Sequence, residues 1–234
     1  MKVFFDNPWF GGLQRVDADA LLAAARPRHL VQGEVLFRQG DAFSESRDGF
    51  FGVAKGSIKF FAIHPDGNEA ILTIIEAGNW FGEVMLLDRH PRTTTTVAAE
   101  DTELLVVSAE FFNVMMQRNT FAQAIAVLEA RRLQSVFGVL ADIALRSTRT
   151  RVARRLVLLA HGDLTQSNSG RRTIGTSQDN IAMMLGVSRT TLNKELQALA
   201  KMGAIELRYG RIEIRDMELL VKTSVSLRTS EREA

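Results

Sequence analysis

The segment that most constrains the fold is Ser177 to Leu199, SQDNIAMMLGVSRTTLNKELQAL. Two short helices read directly from it. Ser177 is a good N-cap, because its hydroxyl accepts one of the unpaired N–H groups of a first turn. Ile181, Ala182, Leu185 and Val187 supply one apolar face. Gly186 falls where a helix must stop and the backbone needs positive φ. Ser188 opens the second helix, and Leu192, Leu196 and Leu199 give it a buried stripe. An ordinary helical hairpin fits this pattern. So does a helix-turn-helix that lays its second helix in a DNA major groove.

Charge and the following residues favour DNA. Between Arg146 and Arg215 there are 13 Lys/Arg against 5 Asp/Glu, whereas the remainder has 16 against 22. A basic surplus confined to the helix-turn-helix portion is the footprint of phosphate binding. AIELRYGRIEIRD, starting at Ala204, alternates apolar and polar residues on both sides of Tyr209-Gly210. A hairpin directly after a recognition helix is a wing.

The 234 residues leave room for more than this module. Residues 1 to about 27 read as one short amphipathic helix with Leu21, Leu22 and Ala25 inward. From Leu30 to about Val107, short β-rich runs alternate with turns at Gly33, Gly40, Gly56, Gly67, Gly78 and Gly82. Pro65-Asp66-Gly67-Asn68 is a hairpin signal. Many short strands at such spacing suggest a barrel or sandwich. From Ala109 to Leu145 turn signals vanish. Ala126, Leu133 and Leu140 fall seven apart, with Val136 and Ile143 interleaved, as in a coiled-coil seam. A second stripe, Phe121, Ile125 and Leu128, needs its own partner, so a homodimer helix is expected. Ser147-Thr148 reads as a hinge. A helix from about Thr150 to Leu159 and a polar loop, HGDLTQSNSGRRT, follow.

Several classes of protein are disfavoured. The chain has no cysteine, which excludes disulfides, thiolate zinc sites and iron–sulfur clusters. His29, His64, His90 and His161 are scattered without metal-ligand spacing, so no metal site is expected. The N-terminus MKVFFDNPWFGG lacks a signal-peptide core, and no run approaches 18 apolar residues. A cytoplasmic protein without membrane contact is expected. No Ser-centred elbow, HExxH or P-loop is present, so an enzyme is not expected.

The order of parts resembles the CRP/FNR family of bacterial transcription regulators. The motifs that carry the resemblance are GEVLFRQGD (Gly33 to Asp41), PDGNEAIL (Pro65 to Leu72), GNWFGE with PRT (Gly78 to Glu83, Pro91 to Thr93), and LGVSRTTLNKEL (Leu185 to Leu196). It implies an α+β fold in three parts. Residues 1–108 form a jelly-roll-like double-stranded β-roll of the cyclic-nucleotide-binding type. Residues 109–146 form a dimerisation helix, and 147–234 a winged helix-turn-helix domain. It also implies a homodimer on double-stranded, palindromic DNA, with RNA polymerase as a partner.

The same resemblance implies an effector site at Gly82, Glu83, Arg92 and Thr93. Gly82 permits close backbone approach, and Arg92 and Thr93 suit a cyclic phosphate. Glu83 suits a ribose hydroxyl. Relatives that bind cAMP hold the purine with Thr and Ser on the dimer helix; here Val136 and Phe137 take those places. Neither hydrogen-bonds an adenine edge, although Phe137 can stack on a base. A cAMP-like mononucleotide, another ligand such as cyclic di-GMP or a metabolite, and a ligand-independent β-roll that serves dimerisation or partner contact all remain open. On the DNA side, motif position assigns Ser177, Ser188, Arg189, Thr190 and Lys194 to the groove. Arg189 suits bidentate bonds to guanine, and Thr190 stands where the cAMP-responsive branch has glutamate. Arg208 and Arg211 on the wing suit phosphate contacts.

Overall fold

The computed structural model describes residues 1–162 and 171–225. The polar loop expected after residue 160 lies mostly outside them. The chain divides into two compact units, Met1–Arg131 and Arg132–Ala234.

The first unit opens with three helices, α1 (Lys2–Phe5), α2 (Pro8–Gly11) and α3 (Arg15–Ala24), where the sequence pattern suggests one. The two extra helices are short because each is organised by aromatic anchors rather than by periodicity. Asn7 caps α2 by accepting from the Trp9 and Phe10 N–H groups. Phe4, Trp9 and Phe10 are buried.

Strands β1 (Arg26–Leu30), β2 (Val35–Phe37), β3 (Gly49–Lys55), β4 (Ser57–Ile63), β5 (Glu69–Glu76) and β6 (Trp80–Phe81) follow. After helix α4 (Glu83–Asp88) come β7 (Thr95–Ala98) and β8 (Thr102–Ser108). They form two antiparallel four-stranded sheets, ordered β1-β8-β3-β6 and β2-β7-β4-β5. Leu30, Phe51, Val53 and Leu104 from the first sheet meet Phe37, Ile58, Ile75 and Ala98 from the second in one core. The β4–β5 hairpin turns at Pro65-Asp66-Gly67, as the sequence indicates, with the Asn68 N–H donating to the Asp66 carboxylate at 3.0 Å.

Residues 109–145 form two helices, α5 (Ala109–Met116) and α6 (Asn119–Leu145). The break follows from a buried carboxylate. Asp17 accepts from Arg118 at 3.1 Å and from the Thr120 hydroxyl at 2.6 Å, which fixes the start of α6 against α3. The Trp9 indole N–H donates to the Ala124 carbonyl at 2.7 Å and ties the next turn. Phe121 and Ile125 are buried in the aromatic core with Phe50, Trp80 and Phe112. Farther along α6, Leu133, Val136, Phe137, Leu140 and Ile143 are exposed. Both stripes read from the sequence are therefore present.

In the second unit, Ser147 caps α7 (Thr148–Ala160). Asp142, on the last turns of α6, accepts from Arg146 at 2.6 Å and ion-pairs with Arg154 of α7 at 2.6 Å. Then come β9 (Thr173–Ile174), α8 (Gln178–Leu185), α9 (Arg189–Lys201), β10 (Ile205–Arg208), β11 (Arg211–Ile214) and α10 (Met217–Val225). The wing hairpin β10–β11 gains β9 as a third strand. Val152, Leu156, Ile181, Leu192, Leu196, Leu199 and Leu220 close a separate core. Among the described residues, no helix is long and apolar enough to cross a membrane.

The aromatic layer of the first unit depends on Gly52. A methyl group there would stand 2.8 Å from the Trp80 ring and 3.0 Å from Phe4. Both side chains are buried, so neither can move aside freely. Gly52→Ala is expected to lower stability by about 1–3 kcal/mol in urea denaturation. Wild-type stability in that variant would show the layer to be loosely packed.

Candidate effector and DNA-binding sites

Gly82 ends the β6 segment with φ 104°, a conformation that favours glycine. A Cβ at this position would lie 2.4 Å from the Gly49 carbonyl oxygen and 2.8 Å from the Phe51 ring. Absence of a side chain therefore lets the turn press against β3. Glu83 starts α4 immediately afterwards and is only 2% exposed.

Arg92 reaches the residue just before the same strand. Its Nη2 donates to the Asp48 carboxylate, next to Gly49. Both side chains are almost fully buried, at 7% and 6% exposure. The other Asp48 oxygen accepts from the Ser44 N–H at 2.6 Å. The guanidinium carbon also sits 3.3 Å from the centre of the Phe37 ring, a close cation–π contact. Burial pushes the Arg92 guanidinium below the usual arginine range, while the hydrogen bond to Asp48 opposes that shift. The backbone is fixed as well: the Arg92 N–H donates to Asp41 and its carbonyl accepts from Gly40.

Gly82 and Arg92 thus meet at the Asp48–Gly49 corner, and Glu83 follows Gly82 in the chain. Thr93 is exposed beside them in sequence. Val136 and Phe137 lie on the exposed stripe of α6. Asp48 is the residue that sequence reasoning missed. Nothing local in the sequence pairs it with a residue 44 positions away. Among the described residues, no group of three His, Asp or Glu side chains could hold a metal ion.

The second site is built by caps. The Ser177 hydroxyl accepts from the Asn180 N–H and the Ser188 hydroxyl from the Thr191 N–H, both at 3.1 Å. Gly186, at φ 62°, ends α8 in the left-handed region. Leu192, Leu196 and Leu199 are buried, which turns the opposite face of α9 to solvent. Arg189, Thr190 and Lys194 are exposed there, together with Asn193 and Gln197. Asn193 was missed by sequence reasoning, although it lies one turn beyond Arg189 and its amide suits base edges. Arg189 Nε lies 3.4 Å from the Asp179 carboxylate.

On the wing, Arg208 pairs with Glu206 at 2.5 Å and Arg211 with Glu213 at 3.2 Å. Arg215 pairs with both glutamates. Tyr209 at the tip is fully exposed. Sequence reasoning saw it only as a turn residue.

Comparison with known proteins agrees with both halves. Residues 27–119 match the cyclic nucleotide-binding domain model, and residues 150–223 the Crp-like helix-turn-helix domain model. The chain is 32% identical over 222 residues to the cyclic AMP receptor protein of Thermus thermophilus, covering 94% of this chain and 98% of that one. The chain belongs to the CRP/FNR family. Like other CRP/FNR proteins it is a sequence-specific DNA-binding transcription regulator, not an enzyme. Members of the family typically bind DNA as dimers. The CRP-like cAMP-activated global transcriptional regulator of Mycobacterium tuberculosis is 31% identical over 217 residues, 91% of this chain and 94% of that protein. FixK2 from Bradyrhizobium japonicum shares the fold, with a TM-score of 0.73 at 16% identity over 86% of this chain and 98% of that one.

The buried Asp48–Arg92 pair gives a direct test. Asp48→Ala leaves a buried guanidinium without its carboxylate and is expected to cost about 3 kcal/mol. Arg92→Ala should cost a similar amount, and the double variant clearly less than the sum, by chemical denaturation. Additive losses would mean that the two side chains do not interact.

Proposed function

We propose that this CRP/FNR regulator acts in the cytoplasm as a homodimer on a palindromic DNA site, gated by a cyclic mononucleotide in the β-roll. The observation that carries the effector reading is the buried Arg92 guanidinium at the corner shared with Gly82, next to Glu83 in the chain. A buried cation is costly unless paired. Asp48 takes Nη2 and Phe37 covers one face, which aims the remaining edge of the fork. A cyclic phosphate suits such a planar donor set. Gly82 lets the backbone approach the ligand, Thr93 offers a hydroxyl, and Glu83 suits a ribose hydroxyl. Relatives named for cAMP support that choice of nucleotide.

The dimer reading rests on Leu133, Val136, Phe137, Leu140 and Ile143, an exposed apolar stripe along α6. Two copies of this stripe cover each other in a coiled-coil seam. A two-fold protein then reads a two-fold DNA site. In each half-site Arg189 would bond a guanine, with Thr190, Lys194 and the helix starts at Ser177 and Ser188 nearby. Arg208 and Arg211 would exchange their glutamates for phosphates. RNA polymerase is the expected partner of the DNA-bound dimer.

A second reading, a ligand-independent regulator, has one specific observation in its favour. Val136 and Phe137 supply no hydrogen bond for a purine on α6. Thermal melting with cAMP, cGMP and cyclic di-GMP, followed by DNA affinity with each, separates the readings. The gated reading predicts a melting shift and altered DNA affinity with cAMP, both abolished by Arg92→Gln. No shift with any nucleotide, with DNA affinity unchanged, favours the ligand-independent reading. Leu140→Glu is expected to give a monomer by light scattering and to weaken binding to a palindromic duplex at least tenfold. A variant that stays dimeric would move the interface elsewhere.

A further inference from the structure

The first helix of the helix-turn-helix places a carboxylate on the DNA-reading side. Asp179 is the acidic residue in the first turn of α8, and Arg189 is the first residue of α9. The turn at Gly186 brings them together, with Asp179 Oδ1 3.4 Å from Arg189 Nε. Both are largely exposed, at 59% and 72%.

Such a pair adds little to stability, because water screens it and two long side chains lose freedom. An acid on this side also opposes DNA binding, since it faces a polyanion. Its geometry nevertheless suits one task. The carboxylate lies 3.4 Å from Nε, as an ion pair on that edge of the guanidinium. The two terminal amino groups are the pair that bonds guanine O6 and N7 end-on. An Arg side chain fixed in this way loses less freedom when it meets the base, and its partner penalises wrong sequences.

We propose that Asp179 is a positioning residue for base readout: it holds Arg189 for guanine and raises discrimination while lowering overall affinity. This inference rests on the reading of Arg189 as the guanine contact. The competing role for Asp179 is purely structural, an acid that stabilises the positive end of α8. That role predicts a change in melting temperature with no change in base preference.

The test uses the full chain, with cAMP present, and a pool of random duplexes from which bound sequences are selected. Arg189→Ala first identifies the base position whose preference depends on Arg189. Affinities for the four bases at that position are then compared for wild type, Asp179→Asn and Asp179→Glu. Asp179→Asn is expected to reduce discrimination for guanine about two- to fivefold. It should also tighten binding to unrelated duplex DNA. Asp179→Glu, which keeps the carboxylate, should recover part of the discrimination. In the Arg189→Ala background, Asp179→Asn should leave base preference unchanged. Unaltered discrimination in Asp179→Asn, or an affinity change equal for all four bases, overturns the inference while leaving Arg189 as the reader. If Arg189→Ala leaves every base preference intact, the underlying reading fails and this inference fails with it.

Discussion

Helix α6 carries more apolar surface than the chain buries. Phe121 and Ile125 near its start are enclosed by Phe50, Trp80 and Phe112. From Leu133 onward, Val136, Phe137, Leu140 and Ile143 face outward. A helix with two apolar stripes needs two partners. The first is the aromatic core of the β-roll unit. The second is supplied, in the proposed account, by another copy of the same helix. In that proposed account, the two-fold axis, the palindromic DNA site and the pairing of recognition helices would all derive from that one unmet face.

A second constraint is electrostatic. Arg92 is a buried cation, and Asp48 and Phe37 together make its burial tolerable. Burial of a paired charge contributes little net stability, but it fixes direction. Gly82 adds shape, because no side chain fits between it and Gly49. The corner therefore presents a positioned guanidinium beside a glycine-lined approach. On the DNA-binding side the same logic operates at the surface. The wing arginines are each matched with Glu206 or Glu213, whereas Lys194 stands on α9 at a position turned to solvent.

What could be read from the sequence was what is local. Ser177, Gly186 and Ser188 act through neighbours within four residues, so the caps and turn of the helix-turn-helix were visible in the residue order. The β4–β5 turn at Asp66-Gly67 and the two stripes of α6 were visible for the same reason. Distant partners were not. Asp48 and Arg92 are 44 positions apart, and Asp17 meets Arg118 across 101. The latter pair decides where α6 begins, so the break between α5 and α6 carried no local signal. Phe4 and Trp9 on the two short helices pack against Trp80 and Phe50, partners far off in sequence, while the start of α2 is set locally by Asn7 and Pro8. β9 and α10 likewise pack against strand β11 and against α7 respectively, each far from its partner in sequence. Resemblance to a family indicated Arg92 as a site residue, but not the carboxylate that holds it.

The central claim is that two copies read DNA as a pair. Footprinting of the full chain on its selected duplex, with cAMP present, tests that claim most directly. The account predicts two protected half-sites related by inverted symmetry, with centres about 34 Å apart along the helix axis. A single asymmetric footprint, saturating at one chain per duplex, would contradict it.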